Sequence, residues 1–236
     1  MLLLAIDTSG KHGSIALTRV DDSPAAPHLA GGCDIEIELI EMMPLAGGTF
    51  SALLVPQIAD LLSHHGFTKH DIGAFAVASG PGSFTGLRIG LAAVKALAEV
   101  LHKPIVAVSL LQVCAFSSGI KGKIMAALDA GRGDVYAGEY ADAFNIQGPS
   151  TEHMLSRAEF LEHATGWTVV SPDPSLIEAA TAAGLILFPL PPISAAAVAR
   201  VGGRKLRNGE TVEPEQLEAN YIRRTDAEML ERRIRS

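Results

Sequence analysis

Two aspartates, each closing an apolar run, have the chemistry to work at phosphates. Asp7 follows Leu2–Ile6 and opens Thr8-Ser9-Gly10, while Asp129 follows Lys123–Leu128 and opens Ala130-Gly131. Carboxylates so placed can hold a hydrated Mg²⁺ beside nucleotide phosphates, with Thr8, Ser9 and Gly131 close enough to touch them. The same placement lets each carboxylate accept hydrogen bonds from N–H groups of its own turn. Spacing leaves both roles open.

A denser signal is Ser79-Gly80-Pro81-Gly82-Ser83-Phe84-Thr85-Gly86-Leu87-Arg88-Ile89-Gly90. It lies between an apolar run at Ile72–Ala78, read as a buried strand, and a helical pattern at Leu87–His102. Such a strand, turn and helix start can bind anions on backbone N–H groups. The phosphate-loop pattern fails, because Leu87-Arg88 stands where Lys-Ser/Thr is required. The dinucleotide fingerprint fails too, with Thr85 in place of its third glycine. Gly82, Gly86 and Gly90 recur every fourth residue, Ala93 extends the small face, and Leu97 closes it. Each interior glycine costs a helix ~1 kcal/mol relative to Ala. Close packing must return that cost, so the stripe implies contact rather than chemistry. Arg88 could reach an anion or an acidic partner, although a surface ion pair is the usual outcome.

Other chemistries find less support. His64-His65 and His70 are among eight histidines, yet no two stand at i and i+4 on one helix. Ser79–Ser83 lacks the Gly-x-Ser-x-Gly form of a nucleophile elbow. Gly202-Gly203 follows a helical Ala/Val run, a weak place for an adenosine site. Cys33 and Cys114 match no ligand spacing and suggest a reduced, cytoplasmic setting.

These residues need a scaffold, and the composition supplies one. The chain has 236 residues, 48% apolar and 19% charged, enough for one large or two small domains with a substantial core. A net charge of −7 argues against an autonomous nucleic-acid binder. Direct RNA contact would be confined to the tail Asn220–Ser236, with five arginines against three acids. The opening Met1–Ile6 lacks a basic leader and reads as a strand, and Pro104–Ile120 is a poor membrane span.

The pattern predicts strands at Leu2–Ile6, Ser14–Val20 and Asp34–Glu41, then a helix at Thr49–His65 with Pro56 as a start or kink. After the Ile72–Ala78 strand and the glycine-striped helix comes a strand at Ile105–Val108. The second half restarts this scheme with strands at Lys123–Leu128 and Val135–Tyr140. Helices are expected at Ser156–Thr165, Ser175–Ala183 and Ser194–Leu206, with strands at Trp167–Val170 and Leu185–Phe188. The predicted class is α/β, with mixed sheets flanked by helices and a faint internal repeat.

With these motifs in view, the chain resembles the TsaB (YeaZ) family, a subunit of the bacterial machinery that makes threonylcarbamoyladenosine in tRNA. The resemblance rests on Leu4–Ser9, Gly80–Gly90, Ala127–Tyr136 and, more weakly, Glu218–Arg223. It implies a two-lobed fold of the actin, Hsp70 and sugar-kinase (ribonuclease H-like) kind. The expected lobes are residues 1–108, with the partner-binding helices, and 109–236, smaller, degenerate and with a tail packing back on the first lobe. The family is non-catalytic, with an incomplete nucleotide pocket, so Asp7, Thr8, Ser9, Asp129 and Gly131 are expected to form a degenerate cleft. No cofactor or metal is expected in the isolated chain; ATP and Mg²⁺ are used through partner subunits. TsaD is the implied direct partner, with TsaE binding the pair and TsaC making the threonylcarbamoyl-adenylate. A homodimer is implied as well, and tRNA contact only through the complex. The expected partner surface is Gly82, Phe84, Gly86, Leu87, Gly90, Ala93 and Leu97. Two departures stand out: Gly47-Gly48-Thr49 replaces a histidine common in the family, and Ser23–Pro27 implies a longer hairpin. A stand-alone ATPase or kinase using Asp7 and Asp129 is the rival expectation.

Overall fold

The computed structural model describes residues 1–21, 37–46, 48–143 and 151–222. Cys33, the hairpin expected at Ser23–Pro27, Gly47 and the arginine-rich tail from residue 223 lie outside them. The chain forms two compact units. One joins Met1–Val113 to Ile193–Asn220, and the other holds Cys114–Pro192 with Tyr221 and Ile222. The crossing thus falls within a helix a few residues beyond the 108/109 division, and residues 193–220 return to the first unit.

The first unit is built on a sheet of five strands, β1 (Leu2–Asp7), β2 (Gly13–Val20), β3 (Ile37–Leu45), β4 (Ile72–Gly80) and β5 (Ile105–Ser109). They lie in the order β3-β2-β1-β4-β5. β1 to β3 form an antiparallel meander, and β4 and β5 run parallel to β1. Residues 34–36 of the expected third strand are outside the described residues. Period-two alternation gives the sheet two unlike faces. Leu2, Leu4, Ile6, Ile15, Leu17 and Phe75 join one core with α1 (Phe50–His64) and α2 (Phe84–Leu101). Pro56 is accommodated inside α1.

The opposite face is flattened by a row of alanines. Ala16, Ala5 and Ala76 are register partners on adjacent strands. Onto it packs α6 (Ala195–Arg207), which brings Gly202 against Ala76 and Gly203 against Ile37. Ser14 Oγ accepts the Ala195 N–H at 2.8 Å, and Lys205 Nζ donates to Ala107 O at 3.0 Å. Gly202-Gly203 is therefore a packing feature: a Cβ on Gly202 would lie 2.5 Å from that of Ala76.

The second unit repeats the plan. β6 (Ile124–Gly131), β7 (Asp134–Tyr140), β8 (Glu152–Ser156), β9 (Thr168–Ser171) and β10 (Ile186–Pro189) lie in the order β10-β9-β6-β7-β8. Again the first three are antiparallel and the last two run parallel to the first. Met125, Ala127, Val135, Phe160, Val169 and Leu176 form its core. They involve α4 (Arg157–His163) and α5 (Pro174–Ala182). A reciprocal Ser156–Glu159 capping box starts α4. The identical strand order turns the faint repeat in the sequence into a structural duplication. α3 (Leu110–Ser118) carries the chain between the two units.

Gly202→Val should destabilise the protein by ~2–4 kcal/mol, because α6 must lift off the alanine row. Urea unfolding checks this, and a midpoint unchanged from wild type would contradict the packing account.

Candidate functional site

The end of β1 and the start of α2 meet at the first candidate site. Asp7 folds into an Asx turn: its Oδ1 accepts the Ser9 N–H at 2.9 Å and the Ser9 hydroxyl at 2.6 Å. Burial pushes the Asp7 carboxyl above the usual carboxylate range, and the two Ser9 hydrogen bonds partly offset that. Thr8 and Ser9 are buried as well. Thr8 Oγ1 donates to Gly86 O at 2.8 Å, and Ser83 N–H donates to Ser9 O at 2.7 Å. Ser83 in turn caps α2, its hydroxyl accepting the Gly86 N–H at 3.3 Å. That cap is why α2 begins at Phe84, three residues ahead of the sequence expectation.

The glycine stripe is spent on this contact. A Cβ on Gly86 would collide with the Thr8 carbonyl oxygen, and one on Gly90 with Thr8 Oγ1. One on Gly82 would sit 2.7 Å from Ser9 O. Gly86, Leu87 and Gly90 are buried within their own unit, so they offer a partner no surface, contrary to the expectation from sequence. The close approach implied by the stripe is real, but its occupant is the turn that follows β1 in the same chain. Of the remaining expected interface residues, Phe84 is 49% exposed, Gly82 is exposed, and Ala93 and Leu97 are half-buried. Arg88 stacks its guanidinium 3.7 Å from the centre of the Phe84 ring.

The second unit holds Asp129 in a matching turn, with Oδ1 accepting the Gly131 N–H at 2.8 Å. Here the clamp is Asp173, whose Oδ2 accepts the Asp129 N–H at 2.7 Å, while Ser175 Oγ donates to Asp129 Oδ2 at 3.3 Å. Burial, and then the nearby Asp129 charge, push the Asp173 carboxyl upward against the pull of that N–H. Both aspartates thus serve their own turns. From sequence, Ser171–Pro174 reads as a turn that could cap the following helix; Asp173 stands at the N-cap of α5 but gives its side chain to the Asp129 N–H instead of a cap bond.

An open cavity of about 570 Å³ adjoins the first turn, lined among others by Lys11, His12, Phe50, Ser51, Thr85 and Ile89. Neither α1 nor α2 carries an acidic residue in its first turn beside this cavity. Among the described residues no group of three or more His, Cys, Asp or Glu is assembled for a metal. Nor is any described helix long and apolar enough to cross a membrane.

Outward from the core, α1 exposes Leu53 and Val55, and α2 exposes Phe84 at its first turn and Val100 (70%) at its last. Apolar spacing groups Leu53 with Leu54, Ile58, Leu61 and Leu62 on one side of α1; the last four are buried, but Leu53 is exposed.

Comparison with known proteins agrees with this architecture. A family model described as TsaD, tRNA N6-adenosine threonylcarbamoyltransferase, matches residues 44–204. The tRNA threonylcarbamoyladenosine biosynthesis protein TsaB of Escherichia coli K12 is 31% identical over 183 residues, 71% of this chain and 72% of that protein. This chain belongs to the TsaB family. TsaB of Bacillus subtilis is 36% identical over 59% of this chain and 55% of its own length. YeaZ from Pseudomonas aeruginosa superposes with a TM-score of 0.65 at 26% identity, covering 92% of this chain and 99% of that structure. A second Pseudomonas aeruginosa structure, described as similar to peptidase YeaZ, reaches 0.69 over 94% and 99%. TsaB proteins take part in tRNA threonylcarbamoyladenosine biosynthesis.

Two outcomes follow for this TsaB-family turn. Gly86→Ala should cost ~2–4 kcal/mol, against ~1 kcal/mol for Ala96→Gly on the exposed side of the same helix. Comparable losses in urea unfolding would contradict the close approach. Because the folded-state pKa of Asp7 is raised, its contribution is most favourable at low pH and is lost as pH rises through that pKa. Asp7→Asn, which keeps the acceptor oxygen, should therefore raise the melting temperature at neutral pH and lose that advantage in acid. A gain that instead grew on acidification would refute the burial argument.

Proposed function

We propose that this TsaB-family chain is a non-catalytic subunit that pairs with a TsaD-type transferase in threonylcarbamoyl modification of tRNA adenosine. In this reading the outer faces of α1 and α2 dock on the transferase and hold it in its active arrangement. The exposed apolar side chains Leu53, Val55, Phe84 and Val100, on two helices that touch, carry the proposal. Exposed apolar residues are ordinary when scattered, and these four are spread along the two helices, so they support the proposal only together with membership of the TsaB family. A stable specific interface of this kind buries about 800 Å² on each partner.

The local work of Asp7 and Asp129 supports an accessory role, since both carboxylates are engaged in their own turns. ATP and Mg²⁺ are handled by the partners, with TsaE joining the pair and TsaC supplying the threonylcarbamoyl-adenylate. The tRNA reaches this subunit only through the assembled complex, in the cytoplasm, and the subunit alone forms a homodimer. The rival, a stand-alone ATPase, requires Mg-ATP binding by the isolated chain, and calorimetry on that chain decides it.

Pull-down with the TsaD of the same organism tests the pairing. Val55→Glu with Val100→Glu should weaken capture about tenfold or more, because a charge would be buried in an apolar contact. The monomer should keep its melting temperature, as both positions are exposed. Undiminished capture by the double variant would contradict the proposal.

A further inference from the structure

The helix assigned above to partner docking has its position set by a residue no partner can reach. Thr8 is 2% exposed at the end of β1, and its hydroxyl donates to Gly86 O across 78 residues of sequence. Three further features converge on the same point. Gly86 and Gly90 leave no room for a Cβ between α2 and Thr8, so no other pair of α2 residues four apart could take their place. Ser9 O accepts the Ser83 N–H at 2.7 Å, tying the residue before α2 to the same turn. The Asp7 carboxylate in turn holds Ser9 through its N–H and hydroxyl.

Sliding or rotating α2 by one residue would set a side chain against Thr8 and lose the hydroxyl's acceptor. The axial register of α2 therefore decides which of its residues face outward, Phe84 and Val100 among them. The second unit uses the same device with different atoms: there the turn at Asp129 is tied to Asp173 and Ser175 at the start of α5. Clamping the helix after the fourth strand onto the turn after the first strand is thus a shared feature of both units.

We infer that Thr8 is a positioning residue for partner binding, its buried hydroxyl fixing the register in which α2 presents its outer face. This rests on the pairing reading given above and goes beyond it, since it places a determinant of affinity at a site outside the contact surface. Val at position 8 keeps the shape and removes the donor; Ser keeps the donor. Thr8→Val should bind the TsaD of the same organism about fivefold more weakly or worse, the scale of one buried hydrogen bond. Thr8→Ser should bind within about twofold of wild type, inside the spread expected when the bond is retained.

A purely structural role would lower stability throughout the unit. A positioning role predicts faster hydrogen exchange at residues 84–90 of Thr8→Val, with β2 and α6 protected as in wild type. Absence of capture by the wild-type chain would overturn the pairing reading and this inference with it. Wild-type capture matched by Thr8→Val would overturn this inference alone. So would loss of capture by Thr8→Ser, a readout that stands even if Thr8→Val fails to fold.

Discussion

The approach of α2 to the end of β1 constrains much of the first unit. Two backbones come so close at Gly86, Gly90 and Thr8 that no side chain fits between them. Glycine in a helix carries an entropic cost, and the Thr8–Gly86 and Ser9–Ser83 hydrogen bonds together with tight packing offset it. With α2 seated, Leu87, Leu91 and Val94 reach the sheet, and α1 completes that side of the core. The opposite face obeys the same rule through other residues. There the alanine row at Ala16, Ala5 and Ala76 admits α6 only because Gly202 meets Ala76. Small residues thus set the thickness of this unit on both sides of its sheet.

The same seat gives the aspartate turn structural work. Asp7 is buried and occupied by Ser9, and Thr8 and Ser9 are engaged by α2 and the residue before it. Asp129 in the second unit is held by Gly131 and Ser175, with Asp173 on its backbone. A duplicated framework with an aspartate at each first-strand end has here become a pair of helix seats. Such turns are the common structural element of both units in this TsaB-family chain.

Much of this was legible from residues alone, and the exceptions have physical causes. The strands carried by Leu2–Ile6, Ile72–Ala78 and Lys123–Leu128 stand out because buried strands are continuously apolar. α3 escaped reading because Leu110–Ser118 is buried on nearly all sides, which erases the polar stripe that marks a helix. β8 escaped because Glu152–Ser156 is half-buried throughout and shows no alternation. The glycine spacing correctly announced close packing, yet sequence cannot say whether the neighbour is another protein or the turn after the chain's own β1. A register such as Thr8 against Gly86, set by contacts 78 residues apart, is invisible to any local pattern.

In the proposed pairing the outer faces of α1 and α2 meet the transferase while the glycine face stays locked inside. Hydrogen–deuterium exchange on the chain alone and mixed with the TsaD of its organism is the measurement to make first. New protection is expected along Phe50–His64 and Phe84–Leu101, with Leu2–Asp7 already protected before mixing. Protection confined to the second unit, or none in a mixture where light scattering shows a complex, would contradict it.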